Sequence, residues 1–161
     1  MQLGGCRTFE DFQLRSCRLA AAMGDTFRHR ETLAVRWGDM DAMGHVNNAA
    51  FFTYCESARM SYFGAIEIDR WREDGRHGPA VVSASCNFRR QVHYPATLEV
   101  GARATEIGRK SFTLEYAIRQ AGSDELVADG HSVVVWVDYS AGKAIPLPEA
   151  LKERIRSFDG L

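Results

Sequence analysis

No run in this 161-residue sequence approaches the ~18 consecutive apolar residues that a membrane-spanning helix requires, which predicts a soluble chain. An excess of one charge is also missing. Twenty basic residues stand against 21 acidic ones, and a net charge of −1 gives no electrostatic reason to expect nucleic acid or an anionic membrane as partner. Small molecules and further copies of the chain are the expected partners. The four cysteines, Cys6, Cys17, Cys55 and Cys86, are widely spaced, form no Cys-x-x-Cys pair and build no dense framework. Free thiols in a reducing cytoplasm follow, with Cys55 and Cys86 in apolar patterns that suit core packing. There is no P-loop, no Rossmann fingerprint and no His, Cys or carboxylate cluster at metal-ligand spacing, so neither a metal nor a redox cofactor is expected. Repeats and low-complexity tracts are absent.

What is present fits one domain that buries roughly 70% of the surface its unfolded chain would expose. The strand pattern begins only after Met23-Gly24-Asp25. Residues 1–22 lack an apolar core long enough for an export signal and read as an extension, leaving 23–161 as the domain.

From 27 to 37, Phe27, Leu33, Val35 and Trp37 share one parity and Arg28, Arg30, Thr32 and Arg36 the other, the period of a half-buried strand. Residues 46–65 carry only two charges, Glu56 and Arg59, and are apolar on almost every face, which predicts a buried helix closing near Gly64. An irregular connection over 66–79 follows, with Asp-Gly and Gly-Pro breaks. Strand patterns then occupy 80–93, 97–107, 111–119 and 126–138. The short connections Gly108-Arg109-Lys110 and 121–124 imply antiparallel hairpins. A short helix over 148–158 ends the chain. One strand, one helix and four antiparallel strands give an α+β layout in which a five-stranded sheet wraps a central buried helix.

Between the first strand and that helix lies Arg36-Trp37-Gly38-Asp39-Met40-Asp41-Ala42-Met43-Gly44-His45-Val46-Asn47-Asn48. Two carboxylates precede a glycine, and two asparagines suited to capping a helix follow it. The first turn of a helix leaves backbone N–H groups without partners and carries the positive end of the dipole, so it can hold an oxyanion. A carboxylate beside it can activate water or attack directly. Carbonyl hydrolysis needs those two elements, and the alternative is that Asp39 or Asp41 only caps or shapes the turn.

Residues 39–48, followed by Phe51-Phe52 and Glu56-Ser57-Ala58-Arg59, resemble the signature of hot-dog-fold acyl-CoA thioesterases, in the hydroxybenzoyl-CoA thioesterase-like branch. The resemblance covers nearly the whole chain and implies a hot-dog fold with Asp41 as catalytic carboxylate, acting as base or as nucleophile through a mixed anhydride. It implies two subunits sharing a continuous sheet, as a homodimer or homotetramer with active sites at the subunit interface. The same stretch is similar to the catalytic half of plant acyl-ACP thioesterases, where Asn and His follow the Asp at two-residue intervals. His45 matches that pattern and Met43 departs from it.

The N–H groups around Gly44, His45, Val46 and Asn47 are the expected oxyanion donors, with Asp39 organising the turn. Asn48 is a cap or a substrate contact. Glu56, on a helix expected to be buried, needs Arg59 or a functional partner, and a sister branch places its catalytic carboxylate on this helix. Arg109, Lys110 and Ser111 match a hairpin that lies near the CoA phosphates in the family; Arg89 and Arg90 are a weaker pair for that role. Phe51, Phe52, Phe63, Trp71 and Tyr94 are pocket or core aromatics. The expected activity is hydrolysis of a fatty or aromatic acyl-CoA to free acid and CoA, with CoA as part of the substrate and no cofactor. An acyl-ACP thioesterase, a hydratase and a non-catalytic acyl-CoA binding or sensing module are the alternatives.

Overall fold

The computed structural model describes residues 26–72, 75–123 and 125–161. The extension expected over 1–22, with Cys6 and Cys17, lies outside them. In chain order the elements are β1 (His29–Ala34), a 3-10 turn at Trp37–Asp39, α1 (Asn48–Ala65), a 3-10 turn at Ile68–Trp71, and β2 (His77–Phe88). Then come β3 (Thr97–Ile107), β4 (Ser111–Gln120), β5 (Leu126–Asp138), β6 (Lys143–Ala144) and α2 (Glu149–Asp159).

All pairings are antiparallel, and the five long strands are ordered β1-β3-β4-β5-β2. The two-residue β6, a strand the periodicity does not reveal, pairs with Val137 and Asp138 at the end of β5. The register sets Val100 opposite Ile118 and Ala102 opposite Tyr116, so one face of β3 and β4 forms a continuous apolar ladder. A slip by one residue would turn that ladder to solvent. The sheet curls around α1, and Leu98, Val100, Leu114, Ile118 and Trp136 share one core with Tyr54, Ala58 and Tyr62 of the helix. Each large apolar side chain buried there contributes roughly 1.5–3 kcal/mol. This is the hot-dog fold.

Four boundaries and faces differ from expectation. β1 ends at Ala34, because Trp37 is drawn into the 3-10 turn that Arg36 and Asp39 close. α1 starts at Asn48 rather than Val46. Asn47 is its N-cap and accepts a hydrogen bond from Ala49 N–H at 2.8 Å. The helix is not buried all round: Phe51, Tyr54, Cys55, Ala58 and Tyr62 face the core, while Phe52, Glu56 and Met60 face outward. β2 begins at His77, ahead of the Gly78-Pro79 break, because it is an edge strand whose outer N–H positions need no partner and so admit proline. It is an apolar edge, with Val81, Val82 and Phe88 exposed and a register shift between Val81 and Ser83.

Candidate active site

The acidic turn is held from within by Asp39. This carboxylate is 7% exposed and accepts hydrogen bonds from Arg36 N at 2.9 Å, Arg36 Nη2 at 2.8 Å and Tyr54 Oη at 2.8 Å. Its backbone carbonyl accepts from Asn47 N–H at 2.8 Å. Burial alone would raise its pKa, but the bonds from Arg36 and Tyr54 outweigh it and hold Asp39 below the usual carboxylate range. Burial and the bond to Asp39 push the Tyr54 phenol up, so it stays a proton donor. Asp39 is therefore a structural anion, fully engaged inside the fold.

Asp41 is placed differently. It is half-buried at the lip of a cleft, and its Oδ1 accepts from Met43 N–H at 2.8 Å and, at the limit of a hydrogen bond, from His45 N–H at 3.5 Å. Oδ2 accepts nothing from the described residues. The chain turns back on itself here: Asp41 N–H donates to His45 O, and Gly44 N–H to Asp41 O. Gly44 takes φ +78°, in the left-handed region where a Cβ is strained.

The backbone donors divide in two. Gly44 N–H is used in the turn, Val46 N–H donates to Val92 O at 2.8 Å and Asn47 N–H to Asp39 O, so these three are not aimed at a ligand. His45 N–H is only weakly engaged, and Asn48 N–H, the first of α1, has no acceptor among the described residues. The second of these carries the positive end of an 18-residue helix. The N–H groups left without a strong acceptor beside the cleft are thus those of His45, which is in the expected set, and Asn48, which is one residue beyond it.

Asp41, His45, Asn48 and Phe51 face Phe88, Arg89, Arg90 and Val92 across a cleft of about 260 Å³. The end of β2 and the segment after it supply the far wall. Arg89 pairs with Asp129, and Arg90 with Glu125 at 2.8 Å. His93 donates from Nδ1 to Gly44 O at 2.9 Å, and its ring meets that of His45 edge to face at 4.9 Å between centroids. No sequence pattern singled out His93, since only the fold brings the segment after β2 against the turn.

Arg109, Lys110 and Ser111 are not near this cleft. Ser111 lies opposite Val135, which lies opposite Ala80 at the beginning of β2, whereas the Asp41 cleft adjoins Phe88 at its end. Eight strand residues separate the two, about 25 Å at ~3.3 Å per residue. Lys110 Nζ donates to Ala144 O at 2.7 Å, and Arg109 is exposed.

Glu56 is not buried: its side chain is 64% exposed and lies 3.7 Å from Arg59 Nη2. It borders a trough between α1 and β2 made of two adjoining cavities of about 220 and about 490 Å³, which share Glu56, Arg59 and Val81. Phe52 lines the smaller and Met60 and Phe63 the larger; Trp71 packs on the core and Tyr94 is exposed. Cys55 borders the smaller cavity, but burial pushes its thiol up to about 12, and that of Cys86 to about 11, so neither is a thiolate at neutral pH. Among the described residues no three His, Cys, Asp or Glu side chains gather as a metal site.

Comparison with known proteins gives this arrangement its context. The profile of the thioesterase-like superfamily matches residues 35–155. The crystal structure of a thioesterase from Thermus thermophilus complexed with coenzyme A and Zn is 37% identical, covers 85% of this chain and 98% of its own, and superposes with a TM-score of 0.73. The PA2801 protein, a putative thioesterase from Pseudomonas aeruginosa, is 33% identical over 80% of this chain and 98% of its own, with a TM-score of 0.72. The long-chain acyl-CoA thioesterase FadM of Escherichia coli is 26% identical over 78% of this chain and 96% of its own.

Proposed function

The chain belongs to the thioesterase-like superfamily, and we propose that it is a thioester hydrolase whose substrate is an acyl-CoA and whose reactive group is Asp41. One observation carries this reading: the Asp41 carboxylate, with Oδ2 uncommitted, shares a cleft with two backbone N–H groups that lack a strong acceptor, those of His45 and Asn48. A thioester carbonyl oxygen seated on those donors gains charge as the carbonyl carbon is attacked, and a donor of this kind contributes ~3 kcal/mol to the transition state.

Two routes use the same atoms. In one, Asp41 removes a proton from water, the hydroxide adds to the carbonyl carbon, the C–S bond breaks and the thiolate of CoA takes the proton. In the other, Asp41 attacks the carbonyl carbon, expels the thiolate and leaves a mixed anhydride that water cleaves. Both release free acid and CoA thiol, and neither needs a cofactor. The similarity to a CoA-bound thioesterase supports CoA as the carrier.

The site is proposed to be shared between two subunits. The apolar edge of β2 is the surface to be covered, for it exposes main-chain donors and acceptors beside Val81, Val82 and Phe88. A partner's β2 running antiparallel alongside sets its beginning against the end of this one. That brings the partner's larger cavity and its β3–β4 hairpin, with Arg109 and Lys110, to the Asp41 cleft from which they are distant within one chain. Homodimers formed this way can pair again as tetramers. No helix among the described residues is long and apolar enough to cross a membrane, and unpaired Cys55 and Cys86 suit the reducing cytoplasm we propose as its location.

Steady-state thiol release from short, medium, long-chain and aromatic acyl-CoAs, with the native protein and Asp41→Ala, tests the proposal. Turnover on at least one substrate that falls in the variant supports it. Undiminished turnover moves the role to Glu56, and binding without any turnover by the native protein points to a sensing module or to acyl carrier protein as the true thiol.

A further inference from the structure

The trough between α1 and β2 is lined by apolar side chains and by polar groups that mostly satisfy one another. Arg72 Nη1 lies 3.0 Å from Asp69 Oδ1, Ser85 Oγ 2.9 Å from His131 Nδ1, and Tyr116 Oη 2.7 Å from Ser132 Oγ. Arg59 is the exception. Its side chain is only 12% exposed, yet Nη1 reaches Tyr116 Oη at 3.3 Å and Nη2 stands 3.7 Å from a Glu56 carboxylate that is itself largely in solvent. A guanidinium carries five N–H donors in a planar fork, and here they border both cavities with one long hydrogen bond and one loose ion pair among them.

An acyl group entering the trough displaces the water that hydrates this cation. A plain hydrocarbon would leave the charge desolvated and unpaired, which is costly, whereas an acyl group carrying an oxygen acceptor would replace the lost water. A site built around such a donor rejects the analogue that lacks the acceptor more strongly than an apolar pocket rejects an added hydroxyl. We propose that Arg59 determines substrate specificity, and that the natural acyl group carries a hydroxyl, carbonyl or carboxylate oxygen at the end remote from the thioester. The proposal rests on the thioesterase reading and deepens it.

Three matched pairs test it: benzoyl- against 4-hydroxybenzoyl-CoA, hexanoyl- against adipoyl-CoA, and dodecanoyl- against 12-hydroxydodecanoyl-CoA. Their lengths cover a thioester seated at either end of the trough. In at least one pair the native protein should favour the oxygen-bearing member by tenfold or more in kcat/KM. Arg59→Met should bring that ratio within twofold of one, the oxygen-bearing member losing at least fivefold more kcat/KM than the plain member. Arg59→Lys, which keeps the charge without the fork, should retain part of the preference and serves alone if Arg59→Met does not fold. A native ratio below twofold in all three pairs, or equal loss on both members in Arg59→Met, overturns the proposal. If nothing is hydrolysed, the thioesterase reading fails, and titration calorimetry of the same pairs on the native protein decides the role of Arg59: a tenfold binding preference upholds it, and equal or absent binding overturns it.

Discussion

Tyr54 donates its phenolic hydrogen to Asp39 Oδ2 at 2.8 Å, tying the middle of the acidic turn to the first turns of the helix that the turn opens. Because Asp39 also accepts from the backbone and guanidinium of Arg36, the three groups fix where Asp41, two residues on, can stand.

Loss of that tie should show as a pH-dependent stability change. Asp39 is held below its ordinary pKa in the fold, so it stabilises the protein above the unfolded carboxylate value of about 3.9, and the contribution disappears as pH falls through the lower folded value. Denaturant melts of Asp39→Asn should therefore lie furthest below the native protein at neutral pH and converge with it in acid. Tyr54→Phe should cost about 1–2 kcal/mol at pH 7, with Arg36 still in place. A gap between Asp39→Asn and native that is constant from pH 7 to pH 2 would contradict this account.

Gly44→Ala separates turn geometry from stability. A Cβ there meets no atom within 4 Å, so the strain comes from φ +78° alone and is roughly 1–2 kcal/mol, a fall in Tm of a few degrees. The same strain shifts the His45 N–H and the Gly44 carbonyl that His93 holds. Hydrolysis should drop more than tenfold, well beyond the change in folded fraction; unchanged kcat/KM would remove the turn from the mechanism.

Val82→Lys probes the β2 edge. Val82 is 61% exposed in the isolated chain, and a lysine there costs the monomer little while burying a charge in a paired edge. Sedimentation should show a native dimer or tetramer and a monomeric variant whose hydrolysis is lost with the shared site. A native monomer that turns over substrate, or a variant that dissociates without losing activity, would sink the shared-site arrangement.

Much of this was legible in the sequence because alternation records which face of a strand is buried. Phe112, Leu114, Tyr116 and Ile118 announced β4 nearly to the residue, and all four are buried. The acidic turn was legible through glycine and capping chemistry, down to Asn47 as a cap. What failed has physical reasons. Apolar Phe52 and Met60 look like core in a sequence, which does not say whether an apolar face meets the chain's own sheet or another surface. Proline reads as a break before β2 because edge position is a property of the sheet order, not of the local sequence. The N–H groups of Val46 and Asn47, two of the expected oxyanion donors, are taken up instead by Val92 O and Asp39 O, hydrogen bonds that depend on long-range packing. The wall of the cleft formed by Phe88 to His93 stayed hidden for the same reason.

The most direct test of the central claim is kcat/KM for thiol release by Asp41→Asn on the best acyl-CoA of the native protein, with circular dichroism and sedimentation confirming an unchanged fold and assembly. Asparagine keeps the Oδ1 that accepts from Met43 N–H, so the turn should survive while the base or nucleophile is removed. The account predicts a fall of about 10²–10⁴. Activity within threefold of native would contradict it.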